Sequence, residues 1–292
     1  MPTAAGGGFD RTTRTLQPHL ESALGVPLEV TYRAGGNFAI GATTLMREGA
    51  TCRSVMIHGT PLLQFSHLAQ NVAYTWEDFF PVANLTIDPS VIRVRNAAPW
   101  ESLSELVADA RQRPGQIRVG IAGRTDPGYF GIREIEEAAG VEFNVILYDG
   151  GGPARTALAG GEVEVTHAGA FNSLPVADES RVIAVHQEEN RWPGVTDDAP
   201  TVTAELGVPV RPNEFRYQLW VTRECRDDYP ERYEFLAAAV AEAVQREEYL
   251  AALESAGEIG TLDYIPGEEF HASILVEQSR EFEAIVRELG VQ

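Results

Sequence analysis

Lysine is absent from the 292-residue chain, so all 23 basic side chains are arginine. A phosphate-binding loop of the Walker type, which needs its lysine, is therefore excluded. An arginine-only basic set reads as a coding or environmental bias with no bearing on mechanism. Cysteine is nearly absent, with Cys52 and Cys225 alone. Two are too few for a disulfide framework and lack metal-ligand spacing. They read as a pair of buried thiols or, in an oxidising compartment, as one disulfide. The six histidines, at 19, 58, 67, 167, 186 and 271, are dispersed, and none pairs at metal-site spacing. No run approaches the roughly 20 apolar residues that span a bilayer. Met1-Pro2-Thr3 is too short for a leader, so the sequence reads as a cytosolic protein or an exported one lacking its leader. There is no G-x-S-x-G elbow, internal repeat or low-complexity tract.

Positive charge is also scarce. Against 43 acidic residues the net charge is −20 and the pI about 4.7. Nucleic-acid backbones and anionic membrane surfaces would be repelled, so neither is expected as a partner. An anionic ligand would have to be drawn in by local dipoles or a local arginine.

What is present is an alternation of strand and helix signals, the pattern of α/β domains with mainly parallel sheets. The length suggests two domains. Strands are expected at Leu28–Tyr32, Ser54–His58, Phe80–Leu85, Ser90–Val94, Gln116–Gly120, Val145–Tyr148, Val163–Thr166, Arg181–His186 and Glu214–Thr222. Ser102-x-x-Glu105 opens a helix as a capping box. Asp126-Pro127 opens another with an N-cap and a first-turn proline. The last 60 or so residues read as helices, with breaks near Gly257 to Asp263 and at Pro266-Gly267.

One device recurs: a strand, a small-residue loop, then a helix whose start carries Asp or Pro. It appears at Gly6–Asp10, with Asp10 as the expected N-cap of a helix from Arg11 to Leu24, at Gly120–Pro127 and at Asp149–Pro153. Ala34-Gly35-Gly36-Asn37 is a fourth version. Main-chain N–H groups of such loops, backed by a helix dipole, suit a carboxylate or phosphate. Each loop taken singly reads as an ordinary βα turn; it is the recurrence of three, split between two units, that points to a cleft-binding protein. An enzyme holding a phosphorylated or carboxylated molecule, with Asp10 or Asp149 as base, is the competing reading, and the sequence nominates no second catalytic group.

These segments resemble the TctC-like, or Bug, extracytoplasmic solute receptors of tripartite tricarboxylate transporters. Ala5-Gly6-Gly7-Gly8-Phe9-Asp10 is similar to the family's P-x-G-G-x-x-D. Arg33-Ala34-Gly35 with Ile40-Gly41 is similar to N-R-P-G-A-G-G-x-x-G, and Tyr74 to Val82 resembles Y-x-x-x-D-F-x-P-V. Pro99 to Gly115, Tyr148 to Ala154 with Leu158 to Gly161, and Pro200 to Gly207 follow in the family's order. The resemblance implies a type II periplasmic-binding-protein fold, with two α/β domains, two crossover strands and a ligand cleft between the domains. Residues 1–95 with 217–292 would form one domain and 96–216 the other. It implies a receptor for a di- or tricarboxylate or a related organic acid, with no cofactor and no metal. The partners would be the transporter's membrane components and the location extracytoplasmic, a signalling receptor being the alternative use. The ligand-binding residues it implies are Gly8, Phe9, Asp10, Thr60, Gly120, Ala122, Arg124, Thr125, Asp126, Asp149, Gly150, Gly169 and Phe171. The sequence departs from the family at Gly120-Ile121-Ala122-Gly123-Arg124-Thr125, where a hydroxyl is lost and Arg124 gained. Arg124 would pair with a distal ligand carboxylate or face solvent. Asp149 would select a ligand amino or hydroxyl group, or repel simple dicarboxylates.

Overall fold

The structure is a computed structural model that describes residues 1–3, 5–36, 38–68 and 70–288. Asn37, the last residue of the expected fourth loop, lies outside them. The chain divides into two compact units, Met1–Ile87 with Arg216–Gln292 (unit 1) and Asp88–Phe215 (unit 2).

Unit 1 opens with α1 (Gly8–Leu24), which buries Phe9, Leu16 and Leu20 and ends at Gly25 in the left-handed region. The helix starts at Gly8 and not at Arg11, so Asp10 is not its N-cap. Gly7 is the cap, and the Asp10 carboxylate reaches back to the Gly6 amide at 2.8 Å. An acidic residue in the first turn can serve the exposed amides of a helix start as well as a cap does. α2 (Ala39–Glu48), β1 (Met56–Thr60) and α3 (Leu62–Leu68) follow.

β2 (Phe79–Arg95) is one strand of 17 residues, buried at all but its last position. It joins the two strands expected at Phe80–Leu85 and Ser90–Val94 into one, straight through Asp88-Pro89. Its first half belongs to unit 1 and its second half to unit 2. In unit 1 the sheet order is β1-β7-β2, where β7 is Glu214–Thr222, and β8 (Leu262–Pro266) pairs with β2. β8 falls at the breaks in the helical pattern near Gly257 to Asp263 and at Pro266-Gly267, where a strand is not expected from sequence. Trp220, Phe79, Leu63 and Phe270 are fully buried in one cluster of this unit. The helices α8 (Arg223–Asp228), α9 (Pro230–Gln245), α10 (Glu247–Ser255), α11 (Gly267–Phe270) and α12 (Val276–Glu288) complete it. Cys52 and Cys225 form a disulfide, so the reading as two thiols does not hold.

Unit 2 contains α4 (Leu103–Gln112), β3 (Arg118–Ile121), α5 (Pro127–Ala139), β4 (Asn144–Leu147), α6 (Gly151–Gly160), β5 (Val165–Gly169), β6 (Ser180–Val185) and α7 (Val202–Leu206). Half of the expected capping box forms: Ser102 accepts the Glu105 amide at 3.1 Å, but the Glu105 carboxylate accepts the Glu101 amide at 2.7 Å in place of that of Ser102. Here β2 pairs antiparallel with both β5 and β6, and β3 pairs in parallel with β4 and β5. The order β5-β3-β4 is thus a parallel run flanked by helices, as α/β folding demands. The segment 28–32, which alternates like a strand, is extended but joins no sheet.

Candidate functional site

In unit 2 three loops lie side by side because their strands do. β3 and β4 align in parallel with Gly120 opposite Ile146, and β3 and β5 with Gly120 opposite Thr166. The loops 122–126, 148–150 and 170–172 therefore leave the carboxyl ends of three neighbouring parallel strands. That edge is where open α/β sheets bind ligands. The Tyr148 amide donates to the Ile121 carbonyl at 2.9 Å and the Gly150 amide to the Ala122 carbonyl at 3.0 Å, tying the first two loops together. Gly150 has φ of 105°, a conformation open to glycine that lets the chain turn straight into α6.

The first two loops end in helix starts. Asp126 caps α5, its Oδ1 accepting the Gly128 amide at 2.8 Å. Burial pushes its carboxyl up to about 7, and the Gly128 amide only partly offsets this. Thr125 is fully buried beside it. Arg124 is exposed, with its guanidinium 5.7 Å from the centre of the Tyr129 ring. Asp149 is also exposed.

The third loop is held from below. Asp88, on β2, accepts the amides of Phe171 and Asn172, each at 2.9 Å. It packs so tightly that a Cβ on Gly169 would collide with its Oδ2, which is why residue 169 carries no side chain. The Phe171 ring is 4% exposed and sits in a core cluster with Val91 and Val185. The Phe171 amide and ring are thus both committed within the unit. Sequence reasoning misses Asp88 because an Asp-Pro pair reads as a turn.

A second residue that it misses is Arg155, the one charged side chain of α6 and only 7% exposed. Its Nη1 lies 2.9 Å from the position a Cβ on Gly151 would take, so the guanidinium folds back onto the first turn. It brings positive charge to the start of α6, beside Asp149 and Gly150. Behind the loops, His167 and His186 share a hydrogen bond of 2.9 Å, though 19 residues separate them. Burial holds His186 down at about 4 and His167 well below its ordinary value.

In unit 1 the candidate residues are Gly8, Phe9, Asp10 and Thr60. Gly6 and Gly7 face open space, with nothing within 4 Å of where a side-chain carbon would stand on either. The Phe9 ring is core, 4.4 Å from Tyr217 and 5.7 Å from His58 between centroids. The Asp10 carboxylate accepts from Gly6 and from the Tyr32 hydroxyl, both at 2.8 Å, and from Arg14 at 3.3 Å. It is saturated, and these partners hold it below the usual carboxylate range despite the opposing desolvation that burial brings. Thr60 is bound through its amide (3.1 Å) and its hydroxyl (3.2 Å) to the Gln218 side chain, which also reaches Asn84 at 2.9 Å. What this loop presents is main chain: the first-turn amides of α1, which a helix leaves without internal partners.

Among the described residues, no three His, Cys, Asp or Glu side chains cluster as a metal site. No helix among them is long and apolar enough to cross a membrane.

Comparison with known proteins gives the same fold. The chain is 25% identical to protein BugT of Bordetella pertussis over 304 residues, covering 100% of this chain and 88% of BugT. Other curated relatives are spanned over 49% to 67% of their length. Among solved structures, a TctC solute-binding protein from Polaromonas is 27% identical with a TM-score of 0.69, covering 98% of this chain and 96% of that one. MatC of Rhodopseudomonas palustris, solved with bound malate, is 23% identical with a TM-score of 0.86, covering 98% and 96%. The family model described as the tripartite tricarboxylate transporter family receptor, TctC, matches residues 12–221. The chain belongs to this family of transporter receptors, which are solute-binding proteins and not enzymes.

Proposed function

We propose that this receptor captures a small organic carboxylate, of the size and charge of malate, and presents it to the membrane components of a tripartite transporter outside the cytoplasm. The observation that carries the ligand class is the row of loops at the carboxyl ends of β3, β4 and β5. Two of them run into the starts of α5 and α6, with the buried Arg155 beside the second. Helix-start amides attract negative charge and donate hydrogen bonds without a solvated cation. That solves the problem posed by a net charge of −20, since attraction is local where the overall field repels. Malate bound to MatC supports the class, because that protein shares this fold.

The residues we assign to ligand contact in unit 2 are Gly120, Ala122, Arg124, Thr125, Asp126, Asp149, Gly150 and Gly169, mainly through main chain. Phe171 and Phe9 act as packing beneath the loops, and Thr60 through its place at the end of β1. In unit 1 the first-turn amides of α1, at Gly8 and Asp10, form a second set of donors.

Calorimetric titration with di- and tricarboxylates, monocarboxylates, amino acids and phosphorylated sugars tests the assignment. Saturable binding confined to carboxylates is expected. Binding of phosphates in preference to carboxylates, or no response across the panel with no carboxylate in native mass spectra, would overturn it. Coelution of the ligand-loaded receptor with the transporter's membrane proteins checks the partner.

A further inference from the structure

β4 is the edge of the unit 2 sheet: it pairs with β3 on one side, and no described strand pairs with the other. It is also the one strand of that unit without a buried residue. Asn144 and Leu147 are exposed, Leu147 at 42%, and Val145 and Ile146 are half-buried. Strands of a parallel run are ordinarily covered on both faces, so an apolar triplet left this open stands out.

The hydrogen bonds of β4 show which groups are left over. The Asn144 amide donates to the Ile117 carbonyl at 2.8 Å and the Tyr148 amide to the Ile121 carbonyl at 2.9 Å. With Ile146 opposite Gly120, the ladder uses residues 144, 146 and 148, so the amides and carbonyls of Val145 and Leu147 point away from β3. Among the described residues nothing bonds them. Side chains alternate as well. Ile146 and Tyr148 pack against Leu158 and Val163, which leaves Val145 and Leu147 on the opposite face.

Charge restricts what can pair there. Glu142 precedes the strand and Asp149 follows it, both exposed. Neither carboxylate has a hydrogen-bond or ion-pair partner among the described residues. The one basic side chain of β3, Arg118, is already bonded to Glu164 at 2.7 Å. A second copy added antiparallel would set Glu142 of each chain against Asp149 of the other. Added in parallel, it would set Glu142 against Glu142 and Asp149 against Asp149. Either way carboxylates meet at both ends, and like charges directly opposite disfavour pairing. The same two charges attract a strand with cationic ends.

We propose that the free edge of β4 is a docking site for a strand of a different protein, an extended segment with Val, Ile or Thr at its centre and Arg or Lys at each end. Main-chain bonds to Val145 and Leu147 supply the pairing, and the segment's apolar residues cover Leu147. Glu142 and Asp149 select the partner by its end charges. This inference is independent of what the ligand loops bind.

The full chain is titrated with the labelled peptide Arg-Val-Thr-Val-Thr-Val-Arg, blocked at both termini, and with its Glu-ended counterpart, and fluorescence anisotropy is read. The Arg-ended peptide is expected to bind about tenfold tighter at low salt, with the ratio shrinking as salt is raised. At saturation, amide exchange should slow about tenfold at Val145 and Leu147 and stay unchanged at Ile146, whose amide is already in the ladder. Leu147→Pro removes a free-edge amide without touching the ladder to β3 and should abolish binding. Leu147→Val, which keeps that amide, should retain it, separating pairing from damage to the strand. Equal affinity for the two peptides, binding by neither, or slowing that misses 145 and 147 would overturn the proposal. So would sedimentation showing dimers of the chain alone that Leu147→Pro dissolves, which would make the occupant a second copy.

Discussion

Asp88 Oδ1 lies 2.9 Å from the Phe171 amide nitrogen, and Oδ2 lies the same distance from that of Asn172. The carboxylate is 4% exposed and stands beneath the third loop as an internal stand-in for the anion that such a turn would otherwise attract. Asp88→Ala should leave two buried amides without their acceptor and cost roughly 1–3 kcal/mol. Asp88→Asn, which keeps one acceptor oxygen, should cost less. Denaturant unfolding of the two variants checks the order, and the reverse order would show that packing against Gly169 dominates.

The buried ionisable groups act in opposite directions. Asp126, raised to about 7 from 3.8, favours the folded state when protonated, so its contribution is lost as pH climbs from about 4 to about 7. His58 and His186, lowered to about 4 from 6.5, favour the folded state when neutral. Their contribution is present above about 6.5 and is lost as pH falls toward 4. His167, lowered further, acts in the same sense. Asp126→Asn keeps an oxygen for the Gly128 amide and removes the acid's opposing slope. The variant should gain stability at pH 8, with an upper limit of roughly 4 kcal/mol. Its unfolding midpoint should rise more steeply between pH 4 and 6.5 than that of the parent. Parallel profiles for the two proteins would place the Asp126 carboxyl in its ordinary range.

Ligand selectivity separates the two arginines beside the loops. Arg124→Gln, at an exposed site, is expected to weaken dicarboxylates about tenfold relative to monocarboxylates, the loss of one charged hydrogen-bonding partner. Arg155→Met should weaken both, because its charge sits at the start of α6. Titration of malate and of a matched monocarboxylate against each variant reads the difference. An unchanged ratio in Arg124→Gln would assign that side chain to solvent.

Reduction of the disulfide should lower the unfolding midpoint. Cys52 and Cys225 are 173 positions apart, and chain-entropy reasoning puts the constraint at about 5 kcal/mol as an upper bound. Differential scanning calorimetry with and without a phosphine reductant, with the double Ser variant as control, measures it.

Helix ends are the most legible part of this sequence. Ser102, Asp126 and Gly140 all do what their residue types require there. Strands are legible where turn residues bound them and are misread where polar residues interrupt them. Asp88-Pro89 lies within β2 because its polar groups are absorbed by neighbouring main chain, a tertiary fact that no local pattern carries. The Leu28–Tyr32 alternation correctly marks one half-buried face, but alternation cannot say whether a pairing partner exists. At the candidate site, the loops are readable from glycine and helix caps. Which amides they offer is not, since Asp88 and Asp10 each occupy amides of their own units.

Both cysteines lie in unit 1, yet most of the sequence between them is unit 2. Covalently the molecule is a closed ring of residues 52–225 bearing two tails. Both tails belong to unit 1, and unit 2 is wholly within the ring. A protease that cuts once anywhere in unit 2 opens the ring but releases nothing: the two fragments stay fastened through Cys52 and Cys225. Unit 1, assembled from two distant stretches of chain, thereby remains one molecule after a break that would otherwise separate its halves.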